Sequence, residues 1–309
     1  MIETPLSRPA ARAGTPIPAA TRHRAVALAL CTVAALALPA ITTAQPQPAG
    51  AALPAPAVQP AAPTAPPGHI LPPAALDAAR AMLAKGTDGV TIIHGGPDGQ
   101  FTRADMGGIT TDTAYPIASA SKWLVAAMVM SLVDDGRLTL DQPVSTWLPN
   151  SPPAARTITL RHLLAQTSGV AGSLNELYDL RQDHRITLRQ SADQILARPP
   201  VAPPGAQFTY GGPGFQIVGA VVEAVTGQRW AAAFQQRIAQ PLGMQSMQWT
   251  HLQFGAPTPP AAQTRNPVLQ GGAVSTAEDY RRFLAMLAGG GVYDGRRILS
   301  AAAVTTMLN

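Results

Sequence analysis

The chain has 309 residues, 46% of them hydrophobic and 13% charged, which leaves room for a sizeable core and excludes disorder throughout. The formal charge of +5 sits mostly at the start, where Arg8, Arg12, Arg22 and Arg24 face only Glu3. The remainder is close to neutral and has no basic patch interleaved with aromatics, so a nucleic-acid partner is excluded.

Residues 25–41 form one apolar run behind an arginine-bearing start, followed by Thr42, Thr43 and Ala44. Residues 1–44 therefore read as a secretory signal peptide cut near Ala44. A membrane anchor is the rival, but the run is short for a span and contains Pro39. A periplasmic or secreted protein is expected, meeting the membrane only through the signal peptide. Cys31, the only cysteine, lies in the apolar run, so the mature chain has no disulfide and no thiolate metal site. Residues 45–72, rich in Ala and Pro, read as an extended tether.

The folded part is expected over 73–309. Ala74 to Leu83 suits a helix ended by Gly86. Gly89 to His94 reads as a strand, GGPDG at 95–99 as a turn, and Phe101 to Arg103 as the start of a return strand. His94 is expected to be a surface or turn histidine.

Thr113 to Ala118 reads as extended, and a long apolar helix follows over roughly Ser121 to Asp135, stopped by Gly136. Ser119 stands at the helix start, where its side chain can cap free backbone N–H groups. Lys122 lies one turn on, on the same face. A serine hydroxyl needs a base within hydrogen-bond reach to act as a nucleophile. Burial and the positive helix start both push a lysine toward losing its proton. Ser-x-x-Lys is short and recurs by chance. Of 22 basic side chains, however, only Lys85 and Lys122 are lysines, and arginine cannot accept a proton.

Thr159 is expected to cap a short helix, LRHLLAQ, whose His162 points away from the leucine stripe and reads as structural. Segment 173–205, polar and arginine-rich with four late prolines, reads as a lid or surface excursion. Pro213 suits the first position of a helix with Phe215, Val218, Val222 and Val225 on one face. Tyr210 therefore sits just before a helix, where it could shuttle a proton beside a deprotonated lysine, or simply pack there. A helix over 229–239 follows, then a Ser275-x-x-Glu278 capping box opening another helix. Ser300 begins the last one.

Five segments in order resemble the serine β-lactamase-like hydrolases: SASK at 119–122, HLLAQTSGV at 162–170, the Tyr210 segment, QPLGM at 240–244 and GGAVSTAEDYRRFL at 271–284. That family includes class C β-lactamases, D-alanyl-D-alanine carboxypeptidases and related esterases. The resemblance implies an α+β, β-lactamase/transpeptidase-like fold, with an antiparallel sheet flanked by helices plus a mostly helical domain. It implies that Ser119 forms an acyl-enzyme. Lys122 would be the base or hold a neighbouring base in its reactive form. Tyr210 would activate the serine or protonate the leaving group. The Ser119 N–H would form half of an oxyanion hole. No cofactor and no metal are implied. The substrate would be a small-molecule ester, a β-lactam or a cell-wall peptide.

Two departures qualify the resemblance. Where the family reads Tyr-x-Asn or Tyr-x-Ser, this chain has Tyr210-Gly211-Gly212. Gly212 cannot hydrogen-bond a substrate amide, which favours an esterase over a β-lactamase or peptidase. The family's third motif, a Lys-Thr-Gly or His-x-Gly strand, would lie beyond the last helix, so the chain reads as C-terminally truncated, with C-terminal strands missing and weak or absent activity and poor stability expected. A non-catalytic binding or sensor protein on the same scaffold is the alternative.

Overall fold

Nine of the fourteen residues of one helix, α2 (Ser121–Asp134), are buried, and the rest of the molecule is arranged round it. Its sequence is apolar on every face, so it can be stable only with neighbours on all sides. These relations come from a computed structural model that describes residues 70–96, 100–172, 183–251 and 264–309. The signal-peptide reading of 1–44, nearly all of the linker reading of 45–72, and positions 97–99 and 173–182 lie outside the described residues.

The chain enters through α1 (Pro73–Ala84), which starts on a proline as helices often do. A hairpin of two seven-residue strands follows, β1 (Gly89–Gly95) and β2 (Phe101–Gly107), paired antiparallel from Gly89 opposite Gly107 to Gly95 opposite Phe101. His94 is exposed near the end of β1, as expected. The short strand β3 (Tyr115–Pro116) leads into a 3-10 turn (Ala118–Ala120) and then α2. The helix α3 (Leu160–Leu164) opens on Thr159, and His162 completes a reciprocal cap by accepting the Thr159 N–H on Nδ1 at 3.3 Å. His162 is structural, as its position relative to the leucines predicts.

The reading of 173–205 as a surface excursion is corrected by α4 (Leu188–Leu196), which buries Leu188, Ala192, Ile195 and Leu196. Thr187 and Gln190 cap it reciprocally. It packs on α5 (Pro213–Thr226), which starts at Pro213 and ends on left-handed Gly227. The helix α6 (Trp230–Phe234) runs through a π turn (Gln235–Ala239) and a last helical turn to Leu242, beyond the expected 229–239. Trp230 and Phe234 of α6 meet Trp249 edge-on, with ring centroids 5.2 and 5.3 Å apart.

Trp249 belongs to β4 (Gln248–Trp249), which pairs with β5 (Ala273–Ser275). The strand order is β3-β5-β4, all antiparallel. Pro116 therefore lies on an edge strand, where its missing N–H breaks no ladder. The helix α7 (Ala277–Ala288) is capped by Thr276, whose hydroxyl accepts the Asp279 N–H at 3.1 Å. The expected Ser275–Glu278 box is thus one residue off: Ser275 is held in β5 opposite Tyr115, and Glu278 pairs with Arg281 and Arg282. The hairpin β6 (Val292–Tyr293) and β7 (Arg296–Arg297) precedes α8 (Ala301–Leu308), capped by Ser300 as expected. Strands flanked by α1 and α7 thus face a helical cluster of α3, α4 and α5, with α2 between them.

Candidate active site

Three ties fix the turn that carries Ser119. The Ile117 N–H donates to the Ala273 carbonyl at 2.9 Å, joining the turn to β5. The Ser121 hydroxyl donates to the Ala118 carbonyl at 2.6 Å and accepts the Ala273 N–H at 3.2 Å. The Tyr280 hydroxyl of α7 donates to the Ala120 carbonyl at 3.1 Å. Held this way, Ala118 adopts φ +46°, a left-handed conformation that a non-glycine residue tolerates only under such constraint. The extended reading of 113–118 is therefore corrected at its last two residues, since Ile117 already has ψ 6°.

Ser119 does not cap α2. The 3-10 turn has no side-chain cap, and the Ser119 hydroxyl is exposed. Its Oγ lies 2.7 Å from the Tyr210 hydroxyl and 3.0 Å from Lys122 Nζ, which donates to it. Lys122 Nζ also donates to the Tyr210 hydroxyl at 3.1 Å. The three side chains named from the sequence thus close a triangle of hydrogen bonds. Gly212 stands at the start of α5 with no side chain to extend toward them.

A further donation from Lys122 runs to the Gln270 carbonyl at 2.9 Å. That oxygen was not legible in the sequence, because every residue carries a main-chain carbonyl. A fully buried glutamine fixes it in space. Gln216 of α5 donates to Asn266 Oδ1 at 2.7 Å and to the Pro267 carbonyl at 3.0 Å, and accepts the Leu269 N–H at 3.0 Å. An apolar residue in place of Gln216 would leave several buried polar groups unpaired.

The Ser119, Tyr210 and Gln270 oxygens each accept from Nζ, as an ammonium with three protons allows. The Tyr210 and Phe215 rings also lie 4.8 and 5.5 Å from Nζ, centroid to nitrogen, which favours a cation there. Partial burial pushes the Tyr210 phenol up. The hydrogen bonds with Ser119 and Lys122, and the Lys122 charge, outweigh it and leave the phenol below the ordinary tyrosine value of 10.0. The arrangement can hold a cationic lysine beside a tyrosine oxygen that accepts the serine proton.

The family model described as Beta-lactamase matches residues 77–308. A penicillin-binding protein 4 from Amycolatopsis lactamdurans is 34% identical over 74% of this chain and 64% of its own. Esterase EstB from Burkholderia gladioli is 40% identical over 43% of this chain and 38% of its own. The chain thus spans less than two-thirds of either relative's length. Among solved structures, a D-stereospecific amidohydrolase from Streptomyces sp. superposes with a TM-score of 0.58 at 25% identity, over 74% of each chain. The antiparallel strands and helical cluster are the β-lactamase/transpeptidase-like architecture. The matched region takes in every residue of the hydrogen-bonded triangle, and the chain belongs to the Beta-lactamase family.

Proposed function

We propose that this protein is an exported serine hydrolase that works through an acyl-enzyme on Ser119, with esters as its preferred substrates. The observation that carries the reading is the Ser119–Tyr210–Lys122 triangle, each pair within 3.1 Å. A weak nucleophile needs a base in contact with its proton, and here the tyrosine oxygen is closest. Tyr210 takes the hydroxyl proton as Oγ attacks the carbonyl carbon, and returns it to the leaving group as the tetrahedral intermediate collapses. Lys122 stays charged and keeps the tyrosine oxygen reactive, the second of the two roles open to it. Water then attacks the acyl carbon, giving its proton to Tyr210, which passes it to Ser119 Oγ as the acyl bond breaks and the acid leaves. The backbone N–H of Ser119 supplies half of the oxyanion stabilisation.

Support for the ester preference comes from two directions. Gly212 offers no amide to recognise a peptide or β-lactam carboxamide, and one relative bears the name of an esterase. Export rests on the composition of residues 1–44 alone.

A fluorophosphonate probe, with mass spectrometry locating the adduct, tests the acyl-enzyme reading. Labelling confined to Ser119 and absent from Ser119→Ala is the expected result. A folded chain that takes no label at Ser119 would leave the sensor alternative standing. Turnover of a p-nitrophenyl ester in preference to a penicillin is expected in the same preparation, and the reverse order would overturn the substrate assignment.

A further inference from the structure

Tyr210 is 54% exposed, so packing round its ring cannot be what holds it against Ser119 and Lys122. Its main chain is held instead. One residue, Gln166, touches the chain on both sides of Tyr210. The Gln166 carbonyl accepts the Thr209 N–H at 2.8 Å, and its side-chain Oε1 accepts the Gly211 N–H at 2.7 Å.

Gln166 makes these contacts from an unfavourable conformation. It follows α3 with φ +60°, at the position where a helix commonly ends on a left-handed glycine. Glycine would fit that backbone without strain and would still present the carbonyl. It would lack only the amide that reaches Gly211. The opposite side of the segment is closed by Gly172: a Cβ on Gly211 would lie 2.4 Å from the Gly172 Cα. Tyr210 is therefore gripped between the Gln166 amide and the Gly172 backbone.

We propose that Gln166 is a positioning residue for Tyr210, its side-chain amide fixing the tyrosine oxygen at the Ser119 hydroxyl. This inference rests on the role given to Tyr210 above and extends it to a residue outside the triangle.

The test compares the unaltered full chain with Gln166→Gly and Gln166→Glu by fluorophosphonate labelling rate, pH profile and thermal unfolding. Gln166→Gly relieves the backbone strain, so its unfolding temperature is expected to hold or rise. Its labelling rate is expected to fall about 10²-fold, the scale of a small misplacement of a reacting group. The acid limb of its rate profile should move up in pH, as Tyr210 loses its close contact with Lys122. Gln166→Glu keeps an acceptor oxygen for Gly211 and should recover most of the rate. A Gln166→Gly chain that labels at the unaltered rate and with the unaltered pH profile overturns the inference alone. A Gln166→Gly chain whose rate falls only in step with lost stability makes Gln166 a fold residue and overturns it too. An unaltered chain that takes no label overturns the Ser119 reading, and this inference with it.

Discussion

Tyr210→Phe is expected to slow acylation of Ser119 by about 10²–10⁴-fold, the range for removing a positioned general base. The measurement is the rate of fluorophosphonate labelling, or ester turnover, at fixed pH. Stability should change by no more than about 0.5 kcal/mol, because the ring is more than half exposed. A rate that survives would show that Ser119 passes its proton directly to Lys122. The pH dependence separates the two routes. The folded Tyr210 phenol lies below its ordinary 10.0, so the rate should climb as pH rises through that lowered value. The sign for stability is the same. Stabilisation from ionised Tyr210 is complete above 10.0 and is lost as pH falls through the folded value. Lys122→Met removes a hydrogen bond and the charge that lower the phenol, so its rate profile should move up in pH. Lys122→Arg is not expected to rescue it. A planar guanidinium cannot serve the Ser119, Tyr210 and Gln270 oxygens from one nitrogen as an ammonium does.

The second large effect concerns the fold beneath the site. Gly169→Ala is expected to destabilise the chain by about 3 kcal/mol in urea unfolding, combining a left-handed alanine with overpacking. Gly169 has φ +74°, and a Cβ built on it would lie 1.9 Å from the Ala202 carbonyl oxygen. That backbone contact cannot yield easily, since the Gly169 carbonyl accepts the Val201 N–H at 2.8 Å in the same place. Gly227→Ala is the control. Its φ of +70° is nearly the same, but nothing lies within 4 Å of the added carbon. It should lose only about 1–2 kcal/mol, the conformational part. Equal losses at the two positions would show that the 169–202 contact relaxes freely.

What could be read from the sequence followed its local chemistry. The helices α2, α5 and α8 were legible because apolar periodicity, Pro213 and Ser300 mark them within a few residues of chain. Lys122 was legible because only two of the 22 basic side chains are lysines, whereas Ser119 and Tyr210 also fit a helix cap and a packed tyrosine and were singled out by the resemblance of their segments. The helix α4 was missed because arginines spread through 173–205 and prolines at its end dominate its composition, although Thr187 and Gln190 already spell a cap. The Ser275 cap failed by one position for a non-local reason. Two hydroxyl residues stand side by side, and only pairing with Tyr115, far away in sequence, commits the first to a strand. The left-handed turn at Ala118 is likewise imposed by β5 and α7, and alanine gives no sign of it. Gln270 contributes through its main chain, which leaves no signature at all.

The Lys122 ammonium meets its main-chain acceptor across 148 positions of sequence. At about 5–20 residues per second of synthesis, that interval corresponds to about 7–30 s during which the ribosome has delivered the hydroxyl but not its partner loop. On the role proposed for Ser119, a nascent polypeptide would emerge chemically mute, its reactivity switching on only when the late segment docks.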